Sequence, residues 1–370
     1  MVVALAGAVL SVAVAVLAAT FFGYPLVAAW LARRRPTSDW PMAEAWPRVL
    51  VIVAARNEAR HLEARLQNLL ALDYPKQRLS LVVASDGSTD DTVAIAMQHV
   101  AVLALPAPVG KTQVLIEAVR AHGAGADVLA FTDATAEWPA DALRWLVAPL
   151  ADPAVGAVSG LVRYRYTDTT IARGFRAYQQ VVVPSRAADA RVGWTTSVSG
   201  SISAVRAALF EASPPELSYD LMLPVLAARH GLRAVVEPRA VSWESARSSR
   251  AAELESRIRL AASAYAFIAW TWRHRRGLPA VYIVQLVGQK IARWLAPLVA
   301  LLATVAAVAL AAAGGSVWPA GAVGLVVALG LLGRPAPLHF GLVVALAYVI
   351  GLWRYVRGER IVGWEPESQR

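Results

Sequence analysis

The chain has 370 residues, of which 57% are hydrophobic, and its mean hydropathy is +0.47. Soluble domains are usually about 45–50% apolar, and here the excess lies at the two ends, which excludes an ordinary soluble protein and predicts membrane segments around a globular domain. The absence of cysteine excludes disulfides and thiolate metal sites, and the net charge of +10 suits an anionic membrane surface or phosphate-bearing ligands. The sequence contains no nucleic-acid-binding motif, so we expect no nucleic-acid partner.

The first segment, residues 1–32, is predicted to be a transmembrane helix. Residues Val2 to Leu31 carry no charged side chain, and a bilayer core requires about 20 apolar residues. No Lys or Arg precedes this run, whereas Arg33, Arg34 and Arg35 follow it. This pattern favours a membrane span over a cleavable signal peptide and places the following residues in the cytoplasm.

Residues 47–250 alternate between predicted strands and predicted helices. Continuous apolar runs with β-branched residues are typical of buried parallel strands, and an apolar stripe is typical of a helix packed on a sheet. The predicted strands are Val49–Ala54, Leu79–Ala84, Val100–Leu105 and Val128–Thr132, and the predicted helices are Glu58–Leu70, Thr89–Gln98, Lys111–Ala121 and Pro139–Leu150. The alternation predicts an α/β domain with a mostly parallel sheet.

Polar side chains follow three of these strands. Asn57 and Glu58 follow the first strand, Asp86 follows the second, and Asp133 follows the strand in "LAFTDAT". In parallel sheets, ligands bind at the carboxyl ends of the strands. A cluster of acids repels itself and is normally held by a cation, so the sequence predicts a cation-binding site at this edge.

A structural interpretation of the same residues remains open. Asp86 could bond its own backbone in a turn, and Ser88 or Thr89 could cap the next helix, with Thr92 uninvolved. The only role of Glu58 could be a favourable interaction of its negative charge with the dipole of the helix that it begins.

Residues 251–293 are predicted to form amphipathic helices at the membrane surface. Ala251 to Arg276 combines five arginines with four aromatic residues. This composition suits a helix lying in the interface, or else an amphipathic helix packed on the domain.

Residues 294–354 are predicted to form transmembrane helices, at Leu295–Ala313, Val317–Leu332 and Leu338–Trp353, the last two being short for a straight span. Three crossings would put the tail, residues 355–370, outside. The basic residues Arg354, Arg357 and Arg360 favour the cytoplasm instead. The two rules conflict unless one short segment re-enters the membrane or lies in its interface.

Several stretches resemble family 2 glycosyltransferases in the order in which they occur. These are "VIVAARNEARHLEARLQNLLALDYPKQRLSLVVASDGSTDDT", "GKTQ", "FTDATAEWPADALRWL", "SGSISAVRAALFEASPPELSYDLMLPVLAARHGLRAVVEPRA", "ESRIRLAASAY" and the tail "GERIVGWEPESQR". The likeness covers roughly residues 47–265 and the tail, and an ordered series of motifs is more specific than any one of them. It implies a membrane-bound enzyme with a GT-A fold, a Rossmann-like, mostly parallel sheet.

The resemblance implies a nucleotide-sugar donor site. Asp86, Glu58 and Asn57 would hold the base and ribose, and Asp133 would ligate Mg²⁺ or Mn²⁺. Three cations would bind the diphosphate: Lys111, Arg257 and Arg259. The alternative for the two arginines is a solvated or membrane-facing helix surface.

The resemblance also implies an acceptor side. Asp220, in "SYD", matches the general base that would take the proton of the attacking hydroxyl, and a single displacement would invert the anomeric configuration. Tyr219, Trp194 and Trp243 could line the acceptor site, or could equally pack in the core.

Two departures from the family pattern bear on function. The second acidic motif reads Asp133-Ala134-Thr135, so metal binding relies on one carboxylate, and "QKIARW" at Gln289–Trp294 lacks the spacing of processive synthases. We therefore expect transfer of one sugar per encounter rather than processive synthesis. From the apolar segments and the basic residues after the first of them, we expect an integral protein of the plasma or inner membrane with a cytoplasmic catalytic domain. It would move a sugar, UDP-linked, to a lipid, lipid-linked or polysaccharide acceptor. The alternatives are a processive polysaccharide synthase and an inactive membrane-anchored relative.

Overall fold

The computed structural model describes residues 1–35, 39–41, 46–246 and 249–359. The predicted tail from Arg360 onward lies outside the described residues. The sheet has seven strands: β1 Val49–Ala55, β2 Leu79–Asp86, β3 Ala101–Leu105, β4 Val128–Asp133, β5 Val155–Arg165, β6 Ser203–Arg206 and β7 Arg233–Ser245.

The sheet is mostly parallel, in the order β3-β2-β1-β4-β6-β5-β7. Strand β6 runs antiparallel to both of its neighbours, and the other pairings are parallel. Every residue of β1 is buried, as its continuous apolar run predicts. Pairing of Ala54 with Asp133 and of Ala55 with Ser85 brings the carboxyl ends of β1, β2 and β4 to one edge. The predicted α/β fold is confirmed.

The helices, taken in chain order, begin and end as follows: α1 Val2–Ala18, α2 Tyr24–Arg33, α3 Ala59–Leu70, α4 Thr92–Met97, α5 Lys111–His122, α6 Ala142–Val147, α7 Thr170–Val192, α8 Tyr219–Arg229, α9 Arg250–Arg273, α10 Ala280–Leu286, α11 Ala292–Ala312, α12 Trp318–Leu331 and α13 Ala336–Val356. Two π-helical turns join neighbouring helices, at Ala19–Gly23 and Val287–Ile291, and short 3₁₀ segments lie at Lys76–Arg78, Ala148–Ala151 and Ala207–Leu209.

Apolar side chains fill both faces of the sheet. On one face, Leu62, Leu66 and Leu69 of α3 are fully buried with the residues that β1 presents to that side. On the other face, α5 and α8 cover the sheet, with Leu223 and Val225 of α8 buried there. The helical spacing of the leucines in α3 therefore matches its buried face.

Among the residues that the structure describes, three continuous helices are long and apolar enough to cross a membrane: Val2–Arg33, Ala280–Ala312 and Ala336–Val356. The predicted first span coincides with the first of them. Helix α12 has 14 residues, which at about 1.5 Å per residue covers only about 21 Å of a hydrocarbon core near 30 Å. Of the three predicted C-terminal segments, two thus lie in helices of spanning length.

Helix α13 packs closely on the globular domain. A Cβ at Gly351 would lie 2.6 Å from the Cβ of Ala261 in α9, and the hydroxyl of Tyr265 donates to the carbonyl of Tyr348 at 3.1 Å. One face of α9 is therefore covered by α13, a packing that the sequence left open as the alternative to a helix lying free in the interface.

Candidate active site

A cleft of about 390 Å³ lies at the carboxyl ends of β1 and β4 and at the first turns of α5 and α8. It brings together six residues that the sequence singled out: Glu58, Lys111, Asp133, Tyr219, Asp220 and Arg259. Carboxyl ends of parallel strands meet at one edge, which explains how residues so distant in sequence come together.

Lys111 links the two sides of this cleft. Its Nζ donates to Oδ1 of Asp133 at the end of β4. Burial acts to lower the pKa of Lys111, but the negative charges of Asp133 and Asp220 outweigh it, so its pKa lies above the ordinary value. Lys111 is therefore a cation between two carboxylates.

Asp220 lies in the first turn of α8, where Ser218 caps the helix. A Cβ at Gly200 would lie 2.9 Å from Oδ1 of Asp220 and 3.3 Å from Nζ of Lys111, so the absence of a side chain at Gly200 leaves room for both groups. Burial raises the pKa of Asp220, while the charge of Lys111 opposes this shift. A carboxylate with a raised pKa, facing a cleft, suits a general base.

Asp86 and Asn57 are not among the residues that line the cleft. The carboxylate of Asp86 is fully buried and accepts hydrogen bonds from the backbone N–H groups of Val109, at 2.7 Å, and Gly110, at 3.0 Å. It fixes the turn from which α5 and Lys111 start. Asn57 has a φ of 52°, and its Oδ1 accepts from Thr89 N at 2.8 Å. Their binding of base and ribose stays a prediction.

The polar loop after β2 caps helix α3. Oγ1 of Thr92 accepts from Glu58 N at 2.8 Å, and Oδ2 of Asp90 accepts from Ala59 N at 3.1 Å. The first N–H groups of a helix lack partners within the helix, so this loop supplies acceptors across space. The alternative interpretation, in which Thr92 is uninvolved, is therefore wrong on this point. Helix α4 begins at Thr92, three residues later than predicted.

The two arginines of α9 occupy different surroundings. Arg259 lines the cleft. Arg257 donates from Nε to Oε1 of Glu253 at 2.7 Å, and its guanidinium lies 5.2 Å from the ring of Phe340. Arg257 is absent from the cleft lining, so the structure supports a diphosphate contact for Arg259 more directly than for Arg257.

The three candidate acceptor aromatics do not form one surface. Tyr219 borders the cleft, but the residue is only 4% exposed and its ring stacks on Phe210, with centroids 4.8 Å apart. Nε1 of Trp194 donates to the carbonyl of Leu232 at 2.8 Å. Trp243 lies on β7 beneath arginine side chains, outside the cleft lining. Packing accounts for most of what these rings contact, and their acceptor role stays a prediction.

Three further groups near the cleft were missed by the sequence analysis. Glu244 lines the cleft from the end of β7, and its charge reaches Lys111. Ser199 and Ser201 flank Gly200 on the wall. Arg65, 3% exposed, donates to Oγ1 of Thr132 behind Asp133, and burial lowers its pKa to about 9. Of these residues, only Glu244 has the feature by which the other acids were singled out, which is a position at the end of a strand.

The donor set fits a divalent cation that shares its ligands with a substrate. Within the part of the chain that the structure describes, no group of three or more His, Cys, Asp or Glu is placed to hold a metal. Mg²⁺-type sites commonly use one or two carboxylates together with substrate phosphates and water. Asp133, whose side chain is 28% exposed at the cleft, would then provide one ligand, with diphosphate oxygens and water completing the shell.

A mostly parallel sheet with an acidic cleft at its carboxyl edge is the arrangement of GT-A glycosyltransferases, and the comparisons agree. The model described as "Glycosyltransferase like family 2" matches residues 47–263, so the chain belongs to this family. The solved mannosyltransferase PcManGT from Pyrobaculum calidifontis, in complex with GDP-Man and Mn²⁺, is 27% identical, with a TM-score of 0.73. That match covers 95% of this chain and 99% of the other.

Two curated relatives match at lower coverage. A protein named N-acetylglucosaminyltransferase from Mesorhizobium japonicum is 28% identical over 69% of this chain and 65% of its own length. Another of the same name from a Rhizobium species is 26% identical over 74% of this chain and 64% of its own. The chain thus spans just under two thirds of these relatives. The predicted family and enzyme class are confirmed.

Proposed function

We propose that this protein is a membrane-bound, inverting glycosyltransferase that moves a sugar from a UDP-linked donor to a hydroxyl of a lipid or lipid-linked acceptor. The observation that carries the proposal is that Lys111 contacts Asp133 and lies, with Asp220, beside Gly200 in one cleft. In this proposal Asp133 ligates the metal, Lys111 binds the diphosphate and Asp220 is the base.

The donor's diphosphate would lie beside Lys111 and Asp133. A metal bound there would neutralise charge that develops on the leaving diphosphate. Lys111 supplies a fixed positive charge from the first turn of α5, and Arg259 supplies another from α9 across the cleft. Cations held in place before reaction stabilise developing charge without reorganising.

The acceptor hydroxyl would lie against Asp220. Its proton passes to the carboxylate as its oxygen forms a bond to the anomeric carbon. The bond from that carbon to the diphosphate oxygen breaks on the opposite face, so the configuration inverts. The raised pKa of Asp220 makes it a better proton acceptor than an exposed aspartate.

The apolar helices support an acceptor that reaches the cleft from a membrane. Three of them have spanning length, and α13 packs on α9, the helix that carries Arg259 to the cleft. Arginines follow the first span, which supports a cytoplasmic catalytic domain. A relative from a Synechocystis species, 36% identical over 30% of this chain, is named a beta-monoglucosyldiacylglycerol synthase, in keeping with a lipid acceptor.

The test is a screen of radiolabelled nucleotide sugars against membrane lipid extracts, with the purified full-length chain and Mn²⁺. Mannose and N-acetylglucosamine occur in the names of similar proteins, so GDP- and UDP-linked forms of both sugars belong in it. We expect labelled lipid with one UDP-sugar, loss of labelling in Asp133→Ala, and retention in Asp168→Asn, an exposed acid outside the cleft lining.

No transfer from any donor, with nucleotide binding intact, would overturn the proposal. A ladder of products longer than one sugar would favour the processive alternative instead.

A further inference from the structure

A buried hydrogen-bonded network lies behind one wall of the cleft. Arg65 of α3 donates from Nη2 to Oγ1 of Thr132 at 2.6 Å, and Thr132 is the residue before Asp133. Oγ1 of Thr132 in turn donates to the carbonyl of Ser201 at 2.9 Å. A hydroxyl has a single proton, so the bond that Thr132 accepts from Arg65 leaves this proton directed at Ser201.

Trp138 closes the network from the loop after β4. Its Nε1 donates to the same carbonyl of Ser201 at 2.9 Å, and its backbone N–H donates to Oδ1 of Asn68 at 3.0 Å. Arg65 also donates through Nη1 to that oxygen of Asn68, and its guanidinium lies 5.0 Å from the centre of the Trp138 ring. The carbonyl of Ser201 therefore has two donors, and the residues that provide them both contact Arg65.

This network continues the link between two strands past the point where their pairing ends. Strand β6 begins at Ser203, which pairs with Phe131 of β4. The next residue of β4, Thr132, reaches Ser201 through its side chain instead. Residues 199–202, which we call the Gly200 loop, are thus held to the end of β4 by side-chain hydrogen bonds.

Other bonds of the Gly200 loop lead away from β4, to β5. The N–H of Ser199 donates to Oγ of Ser159 at 3.0 Å, and the carbonyl of Ile202 accepts from the N–H of Gly160 at 3.0 Å. These bonds limit how far the loop can move without setting its distance from Asp133. The network of Arg65 acts on that distance.

The two ends of the network belong to different sides of the cleft. Asp133 follows Thr132 and is paired in the sheet with Ala54 of β1, so the strand fixes its backbone. Gly200 precedes Ser201, and its missing side chain leaves room for Asp220 and Lys111. A shift of the Gly200 loop would therefore change the surroundings of Asp220 while Asp133 stays in place.

Stability alone does not account for an arginine in this position. Arg65 is 3% exposed, and its Nε has no hydrogen-bond acceptor. Burial lowers its pKa to about 9, against the charges of Asp133 and Glu137, so it is still a cation near neutral pH. Replacing a buried charge by an apolar side chain of similar size is often neutral or stabilising.

We propose that Arg65 is a positioning residue for sugar transfer, which acts through Thr132 and the carbonyl of Ser201 to set the Gly200 loop against Asp220. The inference rests on the proposed function. A single displacement needs the acceptor oxygen, the anomeric carbon and the leaving oxygen in line, so the base must lie at a fixed distance from the donor diphosphate. Arg65 fixes this distance without touching either substrate.

The first test is Arg65→Met, which removes the charge and both donors but keeps a long side chain. We expect kcat to fall by about 10-fold, because misplacing a reacting group by about 1 Å can cost about 100-fold and the loop keeps its bonds to β5. The KM for the UDP-sugar, UDP affinity by calorimetry and Mn²⁺ affinity by EPR should stay close to those of the wild type, and the thermal midpoint should not fall.

Two further variants on α3 separate the network from general effects of substitution. Arg65→Lys keeps the charge and one donor group, so it should retain a larger share of kcat than Arg65→Met. Arg60→Met changes an exposed arginine of the same helix and should behave like the wild type.

The second test asks whether Arg65 acts through Thr132. Thr132→Val keeps the shape of the side chain and removes the hydroxyl, so it should also lower kcat. Because both substitutions break the same chain of contacts, the double variant should lose no more activity than the more impaired single variant. Independent residues would instead give losses that multiply.

Wild-type kcat in a folded Arg65→Met protein, or losses that multiply in the double variant, would overturn the inference. So would a parallel fall of the thermal midpoint, UDP affinity and kcat, which is the result expected of a purely structural residue. Absence of sugar transfer by the wild-type protein would remove the proposed function and this inference with it. An active wild type with unaffected variants would remove the inference alone.

Discussion

Replacing Gly200 with alanine adds one methyl group where the carboxylate of Asp220 meets the ammonium group of Lys111. The new Cβ would lie 2.9 Å from Oδ1 and 3.2 Å from Oδ2 of Asp220, and 3.3 Å from Nζ of Lys111. Non-bonded heavy atoms usually settle near 3.5 Å or beyond, so the carboxylate must retreat by about 0.5 Å. The backbone of Gly200 is outside the left-handed region, so the methyl group is the main perturbation.

The expected effect is on the reaction more than on stability. Turning a side chain about 30° from its preferred rotamer costs about 0.5–1.5 kcal/mol, so the unfolding midpoint should change little. Misplacing a reacting group by about 1 Å can cost about 100-fold in rate, so a shift of half that size predicts a loss of about 10-fold in kcat. The donor's base and ribose do not depend on this contact, and Nζ of Lys111 lies farther from the new Cβ than the carboxylate of Asp220 does, so UDP affinity should change less than kcat.

The assay is steady-state sugar transfer, with UDP affinity and the thermal midpoint measured on the same preparation. Gly321→Ala is the matched control, because its Cβ would meet nothing within 4 Å. A folded Gly200→Ala protein with wild-type kcat would refute the placement of Asp220 as the base, since the base would have tolerated a displacement that the geometry makes unavoidable.

Three other substitutions test separate parts of the structure. Burial raises the pKa of Asp189 from 3.8 to about 6, so the folded protein binds this proton more tightly. Its stability should fall by at most about 3 kcal/mol as pH rises from about 4 to about 6. In Asp189→Asn the thermal midpoint should no longer fall over this pH range for that reason. An equal pH dependence of the midpoint in the variant and the wild type would contradict the account. Thr92→Val leaves the buried N–H of Glu58 without an acceptor and should lower the free energy of unfolding by about 1–3 kcal/mol. Denaturant unfolding measures this loss, with Thr89→Val as the control. An equal loss in the two variants would argue against the cap. Asp133→Asn should raise the Mn²⁺ concentration needed for half-maximal transfer and lower kcat by about 100-fold or more, and an unchanged Mn²⁺ dependence would exclude Asp133 as the ligand.

The sequence predicted the sheet well because its strands are continuous apolar runs. The whole of β1 is buried between two parallel neighbours, and such strands are typically continuous runs of Val, Ile, Leu and other apolar residues. The acids at strand ends then had to lie at one edge. Glu58 and Asp133 do line the cleft, as this reasoning predicts.

The sequence could not predict the contacts that side chains make with backbone groups distant along the chain. Asp86 has the same strand-end position as Asp133, yet its carboxylate turns to the N–H groups of Val109 and Gly110, a contact set by the path of a loop. Glu244 also lies at the end of a strand, but that strand is β7, at the far end of the sheet order, and it was not among the strands predicted from the sequence. The capping role of Thr92 depends likewise on a helix 34 residues earlier.

The most direct measurement of the central claim is the effect of Asp220→Asn on sugar transfer, together with the anomeric configuration of the wild-type product determined by NMR. The variant keeps the size of the side chain but cannot take up the acceptor proton. We predict an inverted product, a fall in kcat of about 100-fold or more, and UDP affinity close to that of the wild type. A product with retained configuration, or wild-type kcat in the variant, would contradict a single displacement with Asp220 as its base.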